Sequence, residues 1–235
     1  MADLGLTAFS HENHSKEFKL ADVILGGQDG LVNVLGVILG VAAASNSSRL
    51  VLAAGLAATF AESISMAAVA YTSKLAEADH YESELRRENT EVDEKPRVEE
   101  EEVRQIYRNR GFEGRLLEEV VKKIIGNRKV WIEVMMGEEL GLEKVERKKV
   151  LSSSILVGSS AFVGSLIPLA PFVLLPVYES CIISVVTAAL TLLVVGAYKA
   201  KITVGKPIRS GVEMAIIGTA SALAGYAVGL LLRVT

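Results

Sequence analysis

Soft, high-affinity metal ligands are almost missing from this 235-residue chain, which holds one cysteine, Cys181, and three histidines, His11, His14 and His80. A single thiol rules out an intrachain disulfide, and the Cys and His spacings of zinc sites do not occur. There is also no Gly-rich phosphate loop, no Ser/His/Asp set and no isolated basic stripe, which argues against catalysis on an organic substrate and against nucleic-acid binding. No enzymatic activity and no organic cofactor are expected. Any metal site must be built from carboxylates and thioethers. The first 19 residues are polar and lack an apolar run followed by a small-residue cleavage site, so no cleaved signal peptide is expected.

What is abundant is apolar sequence, and it is segregated from the charge. Half of the residues are hydrophobic and 23% are charged, while the mean hydropathy is +0.37, which is high for a soluble protein with that share of charge. Residues 74 to 149 carry 20 of the 28 acids and 17 of the 25 bases, so one polar module is inserted between two apolar blocks. A spanning helix needs about 20 mostly apolar residues. Stretches at about 20 to 44, 50 to 73, 150 to 172, 177 to 198 and 210 to 232 meet that length.

The expected fold is an all-α membrane protein: five transmembrane helices with a three-helix cytoplasmic module between the second and third spans. Its expected divisions are a polar N-terminal segment at 1–19, transmembrane helices 1 and 2 at 20–73, the module at 74–149, and transmembrane helices 3 to 5 at 150–235. Lys16 and Lys19, the charged module, and the acid-free loop "KAKITVGKPIRS" with Lys199, Lys201, Lys206 and Arg209 define one basic side. Arg49 and Arg233 are nearly all that the other side shows. The positive-inside rule then puts the N-terminus and the module in the cytoplasm.

Ionisable groups at membrane depth cost about 2.5 to 3.5 kcal/mol on insertion scales and default to functional hypotheses. Asp29 sits in "LGGQDGLVNVLGVILG", among glycines that admit a neighbouring backbone. Glu62 precedes Met66 by four in "TFAESISMAA", so a carboxylate and a thioether share one helix face. Asp29 and Glu62 read as ion-pathway residues, the alternative being buried acids satisfied by backbone or by Asn33. Glu213 reads instead as a structural partner of Arg209, four residues earlier.

Within the module, the second helix runs on to about Lys95, and Pro96 opens the next element. Val98, Val103, Ile106 and Tyr107 follow a helical period up to Gly111. Leu116, Leu117, Val120, Val121, Ile124 and Ile125 do so up to Gly126, and a third short helix ends near Gly141. In that third helix "WIEVMMGEELGLE" places Met135, Met136 and Glu139 at spacings of three and four, a mixed soft and hard ligand set. The competing reading makes Met135 and Met136 plugs of a small helical core.

Taken in order, "DGLVN", "SISM", "ADHYESELRRE", "WIEVMMGEELGLE", "IPLAPF" and "GKPIRS" resemble the vacuolar iron transporter family over essentially the whole chain from about Lys19. The resemblance implies five spans, a homodimer with its path between protomers, and a cytoplasmic metal-binding domain. It also implies export of ferrous iron, and often manganese, from the cytosol in exchange for protons, across a vacuolar membrane or a plasma membrane. It assigns Asp29 and Met66 to the pathway and Met135, Met136 and Glu139 to the cytoplasmic site, with Glu102 and Glu113 as two of its four glutamates. Gln105 and Leu116 stand where an ungapped alignment would continue that set, so the site here is either thinner or completed by neighbours such as Glu99, Glu118 or Glu119. Recurrent small residues (Gly36 and Gly40; Gly158 and Gly164; Gly218, Gly225 and Gly229) also point to a homodimer, unless they pack within one protomer. Two other functions stay open: a transporter of this fold for Mn²⁺, Co²⁺ or Zn²⁺, and a membrane adaptor whose acidic module binds a protein.

Overall fold

The structure is a computed structural model that describes residues 15–202 and 205–232, with side chains from Leu20 onward. His11, His14 and Arg233 lie outside the described residues, as do the side chains of Lys16 and Lys19. The chain is nearly all helix. In order it forms α1 (Ser15–Ser45), α2 (Ser48–Glu94), α3 (Pro96–Asn109), α4 (Gly114–Ile125) and α5 (Arg128–Val134), which runs into a wider π-type turn at Met135–Glu139. There follow α6 (Arg147–Leu169), the short α7 (Pro171–Leu174), α8 (Val177–Ile202) and α9 (Pro207–Leu231).

Five helices among the described residues are long and apolar enough to cross a membrane: α1 from Leu20, α2, α6, α8 and α9. They show apolar side chains on their outer faces as well as inside, Ile64, Val163, Leu190 and Leu223 among them. That is the pattern of helices whose solvent is lipid. The chain divides into two compact units, one built from the described residues up to Tyr71 together with those from Leu151 onward, the other from Thr72–Val150.

The core of the first unit joins Leu31, Leu35 and Ile38 of α1 to Leu169, Phe172, Ala188 and Leu192. One close helix crossing is made by backbone. Gly225 and Gly229 of α9 lie directly on Gly36 and Gly40 of α1, where any side chain would strike a carbonyl. Gly164 rests in the same way on Gly27, and Gly158 on Ser63 and Ala67. The recurrent glycines are therefore used within the chain and give no argument for a second copy. Around Pro168 and Pro171, where the backbone ladder is interrupted, serines of α8 donate to carbonyls of the connecting chain. Ser184 Oγ donates to the Pro168 carbonyl at 2.6 Å, and Ser180 Oγ to those of Pro171 and Leu175 at 3.1 Å.

The second unit begins with the polar end of α2. Pro96 stands at the first position of α3, so the chain turns at Lys95 without losing a helix hydrogen bond it could have made. Gly111 and Gly141 adopt left-handed backbone, φ +90° and +63°, at the ends of the α3 and α5 segments. Val92, Val103, Leu117, Val121, Ile124, Trp131, Ile132, Met135 and Met136 make one core. The inward face of α3 differs from the apolar pattern of its sequence: Val98 is exposed, and Glu99 is buried beside Val103. Glu99 is four residues before Val103 and Val98 is five, which turns Val98 away by about 140° once Val103 is fixed in the core.

Candidate metal centres

Two clusters of carboxylates are brought together, one in each unit. In the first, Asp29 and Asn33 are one turn apart on α1, and Asn33 Nδ2 donates to Asp29 Oδ2 at 3.2 Å. Glu62 of α2 lies close enough to Asp29 and Asn33 to interact with both. Asp29 and Glu62 are half-buried and Asn33 is exposed, although all three belong to the apolar stretches of their helices. Met66 is half-buried one turn beyond Glu62. Two carboxyls and an amide thus converge, with a thioether one turn away along α2. Glu213 is bound differently, accepting from Arg209 Nε at 2.9 Å at the start of α9.

A further acid on α1 escaped the sequence reading. Asp22 is buried and accepts a hydrogen bond from Ser153 of α6. Its signal was the seven-residue spacing to Asp29, two turns of one helix face.

In the second unit the turn at Pro96 folds α3 back near the end of α2 and brings two Glu-x-x-Glu pairs together, Glu88 with Glu91 and Glu99 with Glu102. Each pair sits on one helix face. Glu139 from the π-type turn is the fifth member. Glu88 and Glu99 are only 2% and 3% exposed, and Oε2 of each is buried with no hydrogen-bond partner. Burial pushes the Glu99 carboxyl up to about 7, with Glu102, Glu88, Glu91 and Glu139 adding to it. Glu139 is also pushed up to about 7, first by partial loss of water around it and then by Glu102 and Glu88, with Arg87 opposing. The five side chains thus share one field. As they stand, no three Asp, Glu, His or Cys side chains among the described residues are close enough to grip an ion.

The neighbouring glutamates are otherwise engaged. Glu138 pairs with Arg110, which leaves Glu139 facing the cluster. Glu118 accepts from Arg104 Nε at 3.0 Å and Glu119 from Arg115 Nε at 2.7 Å. Glu113 is exposed at the N-cap of α4 and is not among the charges acting on Glu99 or Glu139. Gln105 bonds with Asn109 and Arg108 on an exposed face, and Leu116 is exposed. Of the residues considered from sequence, Glu102, Glu139 and Glu99 meet, while Glu113, Glu118 and Glu119 do not. Glu88 and Glu91 were missed, although "ENTE" repeats the spacing of Glu99 and Glu102 across Pro96.

Met135 and Met136 are 0% and 2% exposed and belong to the apolar core of the unit. The π-type turn that they open closes with Leu140 N–H donating to the Met135 carbonyl at 3.1 Å, and Leu142 N–H donates to that of Met136 at 2.9 Å. Such wide turns often mark functional positions in helices.

The model of the VIT family matches residues 20–230. The chain belongs to the VIT family. Among similar proteins, Vacuolar iron transporter 1 of Tulipa gesneriana is 35% identical over 221 residues, 92% of this chain and 90% of the relative. Vacuolar iron transporter 1 of Arabidopsis thaliana is 35% identical over 206 residues, 87% and 82% of the two chains. The Vacuolar iron transporter of Plasmodium falciparum is 28% identical over 233 residues, 94% and 85%. Both carboxylate clusters of this VIT-family chain lie inside the matched region.

Proposed function

We propose that this chain carries Fe²⁺, with Mn²⁺ as a second cargo, out of the cytosol in exchange for protons. The observation that carries the reading is the Asp29, Asn33 and Glu62 cluster in apolar helices of a VIT-family chain. The names of the similar proteins support iron as cargo. Carboxylates with a thioether suit a borderline divalent ion, and the lack of imidazole and thiolate keeps affinity low enough for release. Carboxyls that lose the metal can take a proton, a direct physical route to exchange.

In this reading, residues 20–73 and 150–235 supply five spans and residues 74–149 form a cytoplasmic collecting module. There Glu88, Glu91, Glu99, Glu102 and Glu139 take the ion, with the sulfurs of Met135 and Met136 turned to it. The membrane is the plasma membrane in a prokaryote and the vacuolar membrane in a eukaryote. A second copy of the chain covers the polar face of α1 and α2, because an exposed Asn33 beside two half-buried acids is costly against lipid. An adaptor that docks a protein on its acidic surface accounts less well for the burial of Glu88 and Glu99. The same fold with Mn²⁺, Co²⁺ or Zn²⁺ as main cargo differs only in selectivity.

Proteoliposomes loaded with a metal-sensitive dye, with and without a pH gradient, test the proposal. Wild type is expected to move Fe²⁺ faster with the proton gradient opposed to the metal. Asp29→Asn and Met66→Leu keep side-chain size and are each expected to cut the rate at least about tenfold, the equivalent of about 1.4 kcal/mol. Wild-type rates in both variants would remove this pathway.

A further inference from the structure

On the first unit an apolar groove of about 500 Å³, lined by none of Asp29, Asn33 and Glu62, runs between α1, α6 and α8. Ile24 and Leu31 form one wall, Val163 another, and Val194 and Tyr198 the third. Where Gly164 rests on Gly27, backbone lies against backbone with no side chain between them. Along α1 the groove extends from Leu20 to Leu31, eleven residues or about 16 Å at 1.5 Å per residue. Half the hydrocarbon thickness of a bilayer is about 15 Å. The groove is therefore as long as one leaflet is deep.

One end of it is basic. Tyr198 closes the groove on α8, and Lys201 follows three residues later on the same helix face. Gly205 lies against Ala200, so the chain doubles back over the last turn of α8 and returns Lys206 to that end. Lys201 and Lys206 are exposed. No acid occurs between Ser180 and Val212. Among the described side chains, Glu213 holds Arg209 and Asp22 accepts from Ser153. Lys206 is also the N-cap of α9, a 25-residue helix whose first amides have no side-chain cap, and such an end favours an anion.

We propose that this groove holds one acyl chain of an anionic phospholipid, with the lipid phosphate seated between Lys201 and Lys206. The two halves of the site answer to the two halves of one molecule: a leaflet-long apolar slot and exposed cations at its mouth. Juxtamembrane lysines gain about 1 kcal/mol each from anionic lipid, roughly fivefold in affinity per residue. The inference rests on the membrane placement proposed above and not on the metal cargo.

The test is native mass spectrometry of the full chain released from nanodiscs of equal phosphatidylglycerol and phosphatidylcholine. Wild type is expected to retain one phosphatidylglycerol per chain in at least about tenfold preference, given the fivefold expected per lysine. Lys201→Gln with Lys206→Gln should bring the preference to about one while lipid is still retained, since the slot is intact. Val163→Phe fills the slot and should abolish retention of both lipids. Equal retention of the two lipids by wild type overturns the inference, as does full preference in the double glutamine variant. Unchanged retention in Val163→Phe, or a loss of oligomer mass in that variant, also overturns it, the latter because a second copy would then occupy the groove. Carbonate extraction of the same preparations checks membrane insertion separately: a chain that is stripped off sinks the membrane placement as well, whereas an integral chain without headgroup preference sinks only this inference.

Discussion

Glu99 occupies a position where the core would accept a leucine, yet it presents a carboxyl oxygen with no partner. Such a group destabilises the folded protein whenever it is charged, because burial removes its water and four other glutamates repel it. Glu99→Gln is therefore expected to stabilise the second unit at pH 8, by up to about 3 kcal/mol on the scale of the shift from 4.5 to about 7. The same change should weaken Fe²⁺ binding about tenfold or more, since a carboxylate is lost from the proposed ligand set. Chemical denaturation followed by the fluorescence of Trp131, the single tryptophan and a member of that core, reads the stability; calorimetry reads the binding. Lower stability at pH 8 would mean that Glu99 is held for structure. Met135 and Met136 present the opposite case, because their burial satisfies both readings of the segment at once. Met135→Leu with Met136→Leu conserves apolar volume and should cost less than about 1.5 kcal/mol. If the sulfurs turn to the ion, the variant loses its preference for Fe²⁺ over Mg²⁺; identical Fe²⁺ titrations for variant and wild type would make both residues core and nothing more.

At the scale of elements, the proposed collecting site is a product of the α2 to α3 turn. Pro96 ends one helix and begins the next within two residues, and the two Glu-x-x-Glu pairs on either side are thereby folded together. A fragment starting at Pro96 would lack Glu88 and Glu91, so binding is best measured on the full chain. The shared field has a consequence for pH. Glu99 and Glu139 hold protons more tightly in the folded protein, at about 7, than in an unfolded chain, where the value is near 4.5. Between those values the folded state binds more protons, so without metal the second unit is expected to gain stability as pH falls from 8 to 5 and to lose it as pH rises through about 7. Metal affinity should run the other way and increase through the same range, because the ligands must be deprotonated. Thermal melts followed by Trp131 at pH 5, 6, 7 and 8, with and without Mn²⁺, check both signs. A melt in the absence of metal that rises steadily toward pH 8 contradicts the burial argument.

At the scale of the whole molecule, the glycine contacts decide how far composition can be trusted. Gly36, Gly40, Gly225 and Gly229 bring α1 and α9 together within one chain, so the homodimer has to be argued from polarity instead. Asn33, Asp29 and Glu62 leave a polar face on helices that are otherwise apolar outside, and lipid cannot satisfy it. A dimer mass is therefore expected in bilayers and in mild detergent, with Asn33→Leu shifting it toward monomer. A wild-type monomer that transports at full rate would leave that face to be covered by water or by rearrangement of α2.

The sequence by itself determined the helical class, the five long apolar helices, the helix break at Pro96 and the family, because hydropathy, proline and ordered motifs are properties of local runs of residues. It also singled out Asp29 and Glu62 as candidates, since only a few polar residues stand inside those runs, but did not show that they meet. Tertiary structure alone decided which of many glutamates meet. Glu88, Glu91, Glu99, Glu102 and Glu139 come from three elements, and their meeting depends on which face of α3 turns inward. Val103 settles that by burying itself, which carries Glu99 in and leaves Val98 out. Periodicity counts Val98 as core because it weighs each side chain alone, whereas packing is a property of the helix as a rigid body: once one face is buried, every residue on it is buried, whatever its charge.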